Sequence, residues 1–273
     1  MKFLRKKSTL IALTILILIG LSPTLLSFSI LQNPATINPR MRLLPPSRQH
    51  LFGTDQFGRD LLARVLAGSK ISFLVGFSVT ILALIAGVPL GLVAGYFRVL
   101  NTPIMRLVDA MMAFPSILLA LSIAAILGRP SILNVVIAIS VVYTPRIARL
   151  VYSTTIVLRE ITFVEAARAV GAGSARILYR HILINLISPV LVYSTFIFAF
   201  AILEAAALDF LGVGIPPEVP SWGGMINENR VYIFLAPWGI IFPGIFLAIT
   251  VLSLNIIGDN LRDFLDPRLR RFV

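Results

Sequence analysis

The chain contains no cysteine and only two histidines among its 273 residues. Without cysteine it can form neither a disulfide bond nor a thiolate metal site. Acidic residues are also scarce, since 12 Asp and Glu stand against 24 Lys and Arg. The few carboxylates are scattered and show no paired spacing near a nucleophile. The composition therefore offers little material for a catalytic centre.

Charged residues make up only 13% of the chain, whereas hydrophobic residues make up 58%. No ordinary soluble domain has this composition. A helix needs about 20 apolar residues to cross the hydrocarbon core of a membrane. Six such runs are present, at residues 8–31, 71–97, 110–127, 132–151, 186–211 and 233–257. They are continuous rather than alternating, which argues against a β-barrel. The sequence predicts an all-α, polytopic membrane protein with six transmembrane helices.

The first run follows a basic start and could also be read as a cleaved signal peptide. Apolar residues continue past Pro23, however, and no small-x-small cleavage pattern follows. We therefore interpret this run as the first membrane helix. The predicted organisation is that helix with an external segment (1–70), a transmembrane domain (71–260) and a cytoplasmic tail (261–273).

Basic residues are distributed unevenly between the two predicted sides of the membrane. With the N-terminus inside, 16 of the 24 Lys and Arg lie on the inner side and 8 on the outer side. By the positive-inside rule, both termini and the segment 152–185 are expected in the cytoplasm. The net charge of +12 is thus a signal of membrane topology, and we expect no nucleic-acid partner.

A polar segment at 163–189 separates two of the apolar runs and is predicted to form two short helices. Thr162 and Glu165 have the spacing of a capping box, in which each side chain binds a free backbone N–H group. Gly171 suits the residue after a helix, because glycine adopts the left-handed conformation at little cost. Ser174 is expected to cap a second helix over 175–187. Ala166 and Ala167 leave the surface of the first helix smooth, so that another protein could approach its backbone closely.

The polar segment resembles the cytoplasmic "EAA" loop of ATP-binding-cassette (ABC) importer permeases. Other motifs resemble the dipeptide/oligopeptide/nickel permease family, and within it the "C" type of subunit. These motifs are HLFGTDQFGRD at 50–60, AFPS at 113–116, PSWGGM at 220–225, APW at 236–238 and GDNLRDFLDPRLRR at 258–271. The similarity extends over nearly the whole chain, and its least specific part is the first span.

The resemblance implies the type I ABC importer permease fold with cytoplasmic coupling helices, in the cytoplasmic membrane of a bacterium or archaeon. It implies a paired "B"-type permease, two ATPase subunits, an extracytoplasmic solute-binding protein and no cofactor. Glu165, Ala166, Ala167 and Gly171 would belong to the helix that sits in a groove of the ATPase. Glu165 would act as a helix-cap residue rather than touch the nucleotide. Di- and oligopeptides are the expected substrates, with a nickel or other metal chelate, glutathione or an oligosaccharide as alternatives.

Two departures from the family pattern concern the fifth predicted span. Ile184 stands where relatives carry a Pro, so the second docking helix is expected to run straight. Relatives also carry a Glu at the position of Ala205, whereas here the carboxylate is Glu204, turned by roughly 100° around the helix. Glu204 is a candidate for the translocation path, with hydrogen bonding to a neighbouring helix as the alternative role.

No chemistry of its own is expected from the chain. A phosphate-binding P-loop is absent from the sequence. His50 and His181 are predicted on opposite sides of the membrane and cannot share a site. A proton-coupled secondary transporter would show inverted repeats and at least two intramembrane ionisable groups, and a membrane hydrolase would need a nucleophile with its base; neither pattern is found. Near the inner surface, Arg106 and Asp109 are spaced as a local ion pair.

The external segment leaves one alternative open. From Gly58 onward, apolar residues fall on one helical face, as an interfacial amphipathic helix would show. A simple lead-in to the second span predicts the same pattern.

Overall fold

A computed structural model describes residues 6–28 and 33–265 of the chain. The described residues form helices and one long, largely non-helical segment at 33–60, which contains a single isolated β-bridge between Thr54 and Asp60. In chain order the helices are α1 (Lys7–Phe28), α2 (Leu61–Tyr96), α3 (Arg98–Met112), α4 (Ser116–Leu127), α5 (Ile132–Arg159), α6 (Thr162–Ala169), α7 (Ser174–Arg176), α8 (Leu183–Phe210), α9 (Trp222–Asn229) and α10 (Trp238–Leu265). A π-helical turn, Ile177–Ile182, joins α7 to α8, and short 3₁₀ turns occupy Pro39–Met41 and Arg230–Tyr232.

Five of these elements are long and apolar enough to cross a membrane: α1, α2, α5, the continuous run Ser174–Phe210 and α10. The third predicted span differs from the expectation. Helices α3 and α4 meet at 93°, and they bring the number of spans to six when the bent pair counts as one. Pro115 causes the break, because the residue before a proline, here Phe114, is disfavoured in the helical conformation. The all-α membrane fold predicted from the sequence is confirmed.

Helix α2 shows whether the residues from Gly58 onward form an interfacial helix or the lead-in to the second span. Asp60 caps the helix by accepting a hydrogen bond from the backbone N–H of Ala63 at 2.8 Å. The helix then continues for 36 residues without a break. Leu61 and Val65 are fully buried within the protein rather than turned to a membrane surface. The segment from Gly58 is therefore the lead-in to the second span, and the interfacial helix does not form.

The closest helix contact lies between α2 and α5, and it depends on glycines spaced four residues apart. A Cβ atom added to Gly87 would lie 2.8 Å from the carbonyl oxygen of Thr144, and one added to Gly91 would lie 2.5 Å from that of Ala148. A Cβ at Gly95 would lie 2.6 Å from the Cβ of Thr155. Small residues at this spacing let the backbones of membrane helices approach closely. The two helices therefore form the rigid centre of the bundle.

The predicted second docking helix is not a separate element. It forms one continuous run with the fifth span, Ser174–Phe210, 37 residues long. With Ile184 instead of a proline, no backbone hydrogen bond is lost at this point and the helix runs on. The predicted cap by Ser174 is wrong, because Gly173 occupies the N-cap position and no side chain caps the helix there.

On the outer side, buried ions fix the segment before α2 to helix α9. Arg59 contacts both Asp55 and Glu228 at 2.5 Å, and Arg64 lies 3.3 Å from Glu228. The side chains are at most 14% exposed, so that the charges balance one another away from water. The indole N–H of Trp222, also fully buried, donates to the carbonyl oxygen of Val65 at 2.9 Å. The outer segment is thus an integral part of the fold.

The glycine contact between α2 and α5 leads to a first prediction. Gly91→Ala should lower the free energy of unfolding by about 1–3 kcal/mol, because the added methyl group meets the backbone of α5. Gly244→Ala on α10 is the matched control, since a Cβ there meets nothing within 4 Å. The control should be neutral or slightly stabilising through its better helix propensity. The apparent melting temperature of the detergent-purified subunit measures both, and equal values would contradict the proposed packing role of Gly91.

Candidate functional site

Helix α6 carries the candidate coupling residues on the surface of the protein. Val164 is fully buried and anchors the helix to the bundle. Glu165 and Ala166 are exposed, whereas Ala167 is half-buried. The predicted capping box is wrong, because Thr162 is the first residue inside the helix and Ile161 takes the N-cap position without a side-chain hydrogen bond. Glu165 therefore projects freely from the first turn.

Gly171 ends α6 in the left-handed conformation, as the sequence predicts, with φ of +83°. Two backbone hydrogen bonds close the end of the helix. The N–H of Gly171 donates to the carbonyl of Arg168, and that of Ala172 donates to the carbonyl of Ala167, each at 3.0 Å. These two bonds define a Schellman motif. A Cβ atom at Gly171 would meet nothing within 4 Å, so only the backbone conformation requires glycine there.

Helix α6 packs against the start of the fifth span through its side chains, in addition to the connection along the chain. Val164, Ile177 and Ile182 are buried in the same apolar core. The ring of Phe163 lies 6.1 Å from that of His181, measured between centroids. Exposed residues around the helix combine apolar and basic groups, since Val170 and Tyr179 are 86% and 75% exposed and Arg176, also exposed, lies between them in the sequence. This surface has the composition of a protein-binding site, in which aromatic and Arg residues are enriched.

The ion pair near the inner surface differs from the prediction. Asp109 pairs with Arg149 of α5 and not with Arg106, its neighbour on α3. Within the described residues, Arg106 remains exposed without an ion pair. A tertiary contact thus replaces the local pair, because Arg149 reaches α3 from the more buried helix. The pair fixes α3 against the centre of the bundle.

Glu204 lies on α8 and is half-buried, with the buried Ala205 beside it. Its Oε2 atom is shielded from solvent and has no hydrogen-bond partner among the described residues. It interacts with the side chain of Tyr143 of α5, which is 2% exposed. The carboxylate therefore points into the protein, as the cost of exposing it to lipid requires.

Two functional features escaped the sequence reasoning. Asp209, buried at the end of α8, accepts hydrogen bonds from the N–H of Ile215 at 2.6 Å and from the Ser221 hydroxyl at 2.7 Å. It thereby shapes the outer loop that leads to α9. The pairs of Glu228 with Arg59 and Arg64 join residues more than 160 positions apart, so no local pattern announces them. Among the described residues, no group of three or more potential metal ligands occurs.

The conformation of Gly171 gives a second prediction. Gly171→Ala should open the end of α6, because the left-handed conformation costs a non-glycine residue about 1 kcal/mol or more. Gly173→Ala is the matched control, since Gly173 has φ of −68° and equally free space around it. Amide hydrogen exchange at positions 171 and 172 should accelerate several-fold in the first variant only. Equal exchange in both variants would show that the helix end does not depend on the left-handed turn.

Comparison with known proteins identifies a matching family and similar sequences. The family model of the binding-protein-dependent transport system inner membrane component matches residues 87–271. The dipeptide transport system permease DppC of Alkalihalophilus pseudofirmus is 48% identical over 96% of this chain and 85% of its own length. The glutathione transport system permease GsiD of Pectobacterium atrosepticum is 42% identical over 82% of this chain and 75% of its own length.

The fold also has a counterpart among solved structures. The MetNI methionine ABC transporter, in an inward-facing conformation, matches with a TM-score of 0.61 and 20% sequence identity. The match covers 74% of this chain and 96% of the other. This likeness concerns the arrangement of the helices alone. The family model and the sequence relatives show that the chain belongs to the family of binding-protein-dependent transport system inner membrane components, as a multi-pass permease subunit of an ABC importer.

Proposed function

We propose that this permease imports di- and oligopeptides. The observation that carries the proposal is the 48% identity to a dipeptide permease over nearly the whole chain, motifs of the outer segment included. Glutathione, itself a short peptide, is the cargo named for the second relative. Both cargoes carry a free ammonium group and free carboxylates. The peptide class thus agrees with both relatives, whereas a metal chelate or an oligosaccharide agrees with neither.

In the complete transporter that we propose, this subunit contacts four further components. A "B"-type permease pairs with this subunit, two ATPase subunits bind at the cytoplasmic side, a solute-binding protein delivers the peptide outside, and lipid surrounds the spans. Both termini are proposed to be cytoplasmic, in a bacterial or archaeal inner membrane. In support, Lys6 contacts Asp263 at 2.8 Å and Asn260 donates to Ser8, so that the two ends of the described chain lie together.

ATP hydrolysis is assigned to the partner subunits, and α6 receives their motion. The exposed face with Glu165 and Ala166 would enter a groove of the ATPase, while Val164 keeps the helix fixed to the bundle. Gly171 turns the chain directly into the run Ser174–Phe210, which reaches the outer side without a break. A displacement of α6 would therefore move the fifth span as a lever. ATP and the loaded binding protein would shift the population between inward-open and outward-open states.

A third prediction tests the division of labour. The subunit purified alone should show neither ATP hydrolysis nor peptide uptake in proteoliposomes, because it has no phosphate-binding loop and only half of the proposed path. Co-reconstitution with the "B" permease, the ATPases and the binding protein should restore both activities. Uptake by the lone subunit, driven by a proton gradient, would instead establish a secondary transporter.

A fourth prediction tests the coupling helix. Ala166→Arg should reduce co-purification of the ATPase subunits and peptide uptake at least tenfold, because the bulky side chain keeps the partner from the backbone of α6. Gly171→Val should act in the same direction. Ala167→Arg also addresses the contact, but Ala167 is half-buried and its variant could disturb the fold of the subunit itself.

The matched control for this experiment is Thr102→Arg on α3, an equally exposed position on the same side of the membrane. All variants are checked for membrane insertion and for pairing with the "B" permease. Wild-type ATPase binding and uptake in both Ala166→Arg and Gly171→Val would show that α6 is a passive loop.

A further inference from the structure

Four polar side chains form a cluster between α5 and α8, inside the membrane-spanning part of the bundle. Tyr143 and Arg146 come from α5, whereas Tyr193 and Glu204 come from α8. The guanidinium carbon of Arg146 lies 4.8 Å from the centre of the Tyr143 ring, which is the geometry of a cation–π contact. Tyr143 also interacts with Glu204, and Tyr193 interacts with Arg146. The two antiparallel helices thus place the anion nearer the outer side and the cation nearer the inner side.

The direction of the Arg146 side chain is unusual for an arginine in a membrane helix. It lies 14 residues after the start of α5, which is about 21 Å along the helix axis within a core of about 30 Å. From this depth the side chain could extend to the inner surface, as arginines near helix ends do. It turns instead toward Tyr143, one helical turn nearer the membrane centre. The cation is therefore held where it is costly unless it faces protein or a water-filled path.

The charges in the cluster are adjacent but not paired. Among the described residues, Arg146 forms no ion pair within 4.0 Å, and Tyr143 interacts with both Arg146 and Glu204. Both Glu204 Oε2 and the Tyr143 hydroxyl are shielded from solvent and form no hydrogen bond of regular geometry within the described chain, although the Tyr143 hydroxyl lies close to both Glu204 and Arg146. Arg146, Tyr193 and Glu204 nevertheless remain partly exposed along the side of the subunit. The cluster offers one cation and one anion to a ligand beside the bundle.

We propose that Arg146 and Glu204 form a binding site in the translocation path for the two charged ends of a short peptide. The guanidinium receives the carboxylate of the peptide in a bidentate contact, and Glu204 receives its ammonium group. Tyr143 and Tyr193 form the wall between the two ends. Because every peptide with free ends presents these two charges, such a site accepts many sequences. This inference rests on the proposed function as a peptide importer.

The arrangement also assigns a direction to the bound peptide. Glu204 lies six residues before the end of α8 at its outer side, whereas Arg146 lies deeper. The carboxylate end of the peptide therefore enters first and the ammonium end follows. As the peptide leaves water, each of its charges meets an opposite charge of the permease, which offsets the cost of desolvation.

The first experiment uses the complete complex in proteoliposomes, with dialanine as the probe. Arg146→Met and Glu204→Gln should each reduce dialanine uptake at least tenfold, while the yield of assembled complex and the ATPase rate stimulated by loaded binding protein stay within twofold. Arg146→Lys, which keeps the charge but not the bidentate contact, should retain more uptake than Arg146→Met. The matched controls are Arg129→Met and Glu218→Gln, both exposed in outer loops.

The second experiment does not depend on the folding of the charge variants. The chain has no cysteine, so Tyr193→Cys introduces its only thiol. A charged methanethiosulfonate reagent should modify this thiol in the complex, read from the intact mass of this subunit, and excess dialanine with its binding protein should slow the modification.

The outcomes separate the two proposals. A wild-type complex that imports no dialanine overturns the proposed function. If the Arg146→Met and Glu204→Gln complexes import dialanine as fast as the wild-type complex does, the binding site is overturned and the proposed function is not. A thiol at position 193 that resists the reagent in every nucleotide state shows that the cluster does not face the path, and it also overturns the site.

Discussion

The close backbone contact between α2 and α5 determines where every functional group of this permease lies. Three glycines on α2, spaced four residues apart, bring the helix axes together at a distance that side chains would prevent. Helix α5 is thereby fixed along its length, from the polar cluster at its middle to Arg159 at its inner end, which donates to the carbonyl of Gly95 at 2.8 Å. The helices that move or bind partners are arranged around this pair.

Helix α6 and the fifth span form a second unit, to which we assign the movement in the proposed transport cycle. The chain leaves α5 at Arg159, forms the short α6, turns at Gly171 and then extends through one run of 37 residues. The π-helical turn Ile177–Ile182 is the single irregular part of that run, and such turns often lie at functional sites in helices. Because Val164, Ile177 and Ile182 share one apolar core, α6 cannot shift without the inner end of the span. Packing thus joins the surface proposed to bind the ATPase to the fifth span.

The sequence predicts those features that have a local cause. Hydrophobic runs longer than a membrane thickness locate the spans, and glycine after a short polar helix predicts its left-handed end. Features that depend on distant residues were missed or misjudged. Asp109 has Arg106 one turn away and still pairs with Arg149, because tertiary packing brings the latter closer. Pro115 lies at the 93° break between α3 and α4, whereas Pro145 lies within an unbroken helix, so a proline alone does not predict where a span bends.

The parts of the bundle differ in whether their charged side chains form ion pairs. On the outer side, Asp55 and Glu228 together neutralise Arg59 and Arg64, so the desolvation cost of each ion is offset within the chain. At the inner side, Arg149 and Asp109 form an ion pair that remains partly exposed. Among the described residues, the middle of the bundle holds an arginine and a glutamate that lie in one cluster without forming an ion pair. Arg146 and Glu204 both interact with Tyr143 but form no ion pair with each other within 4.0 Å, which leaves both charges available to a third molecule.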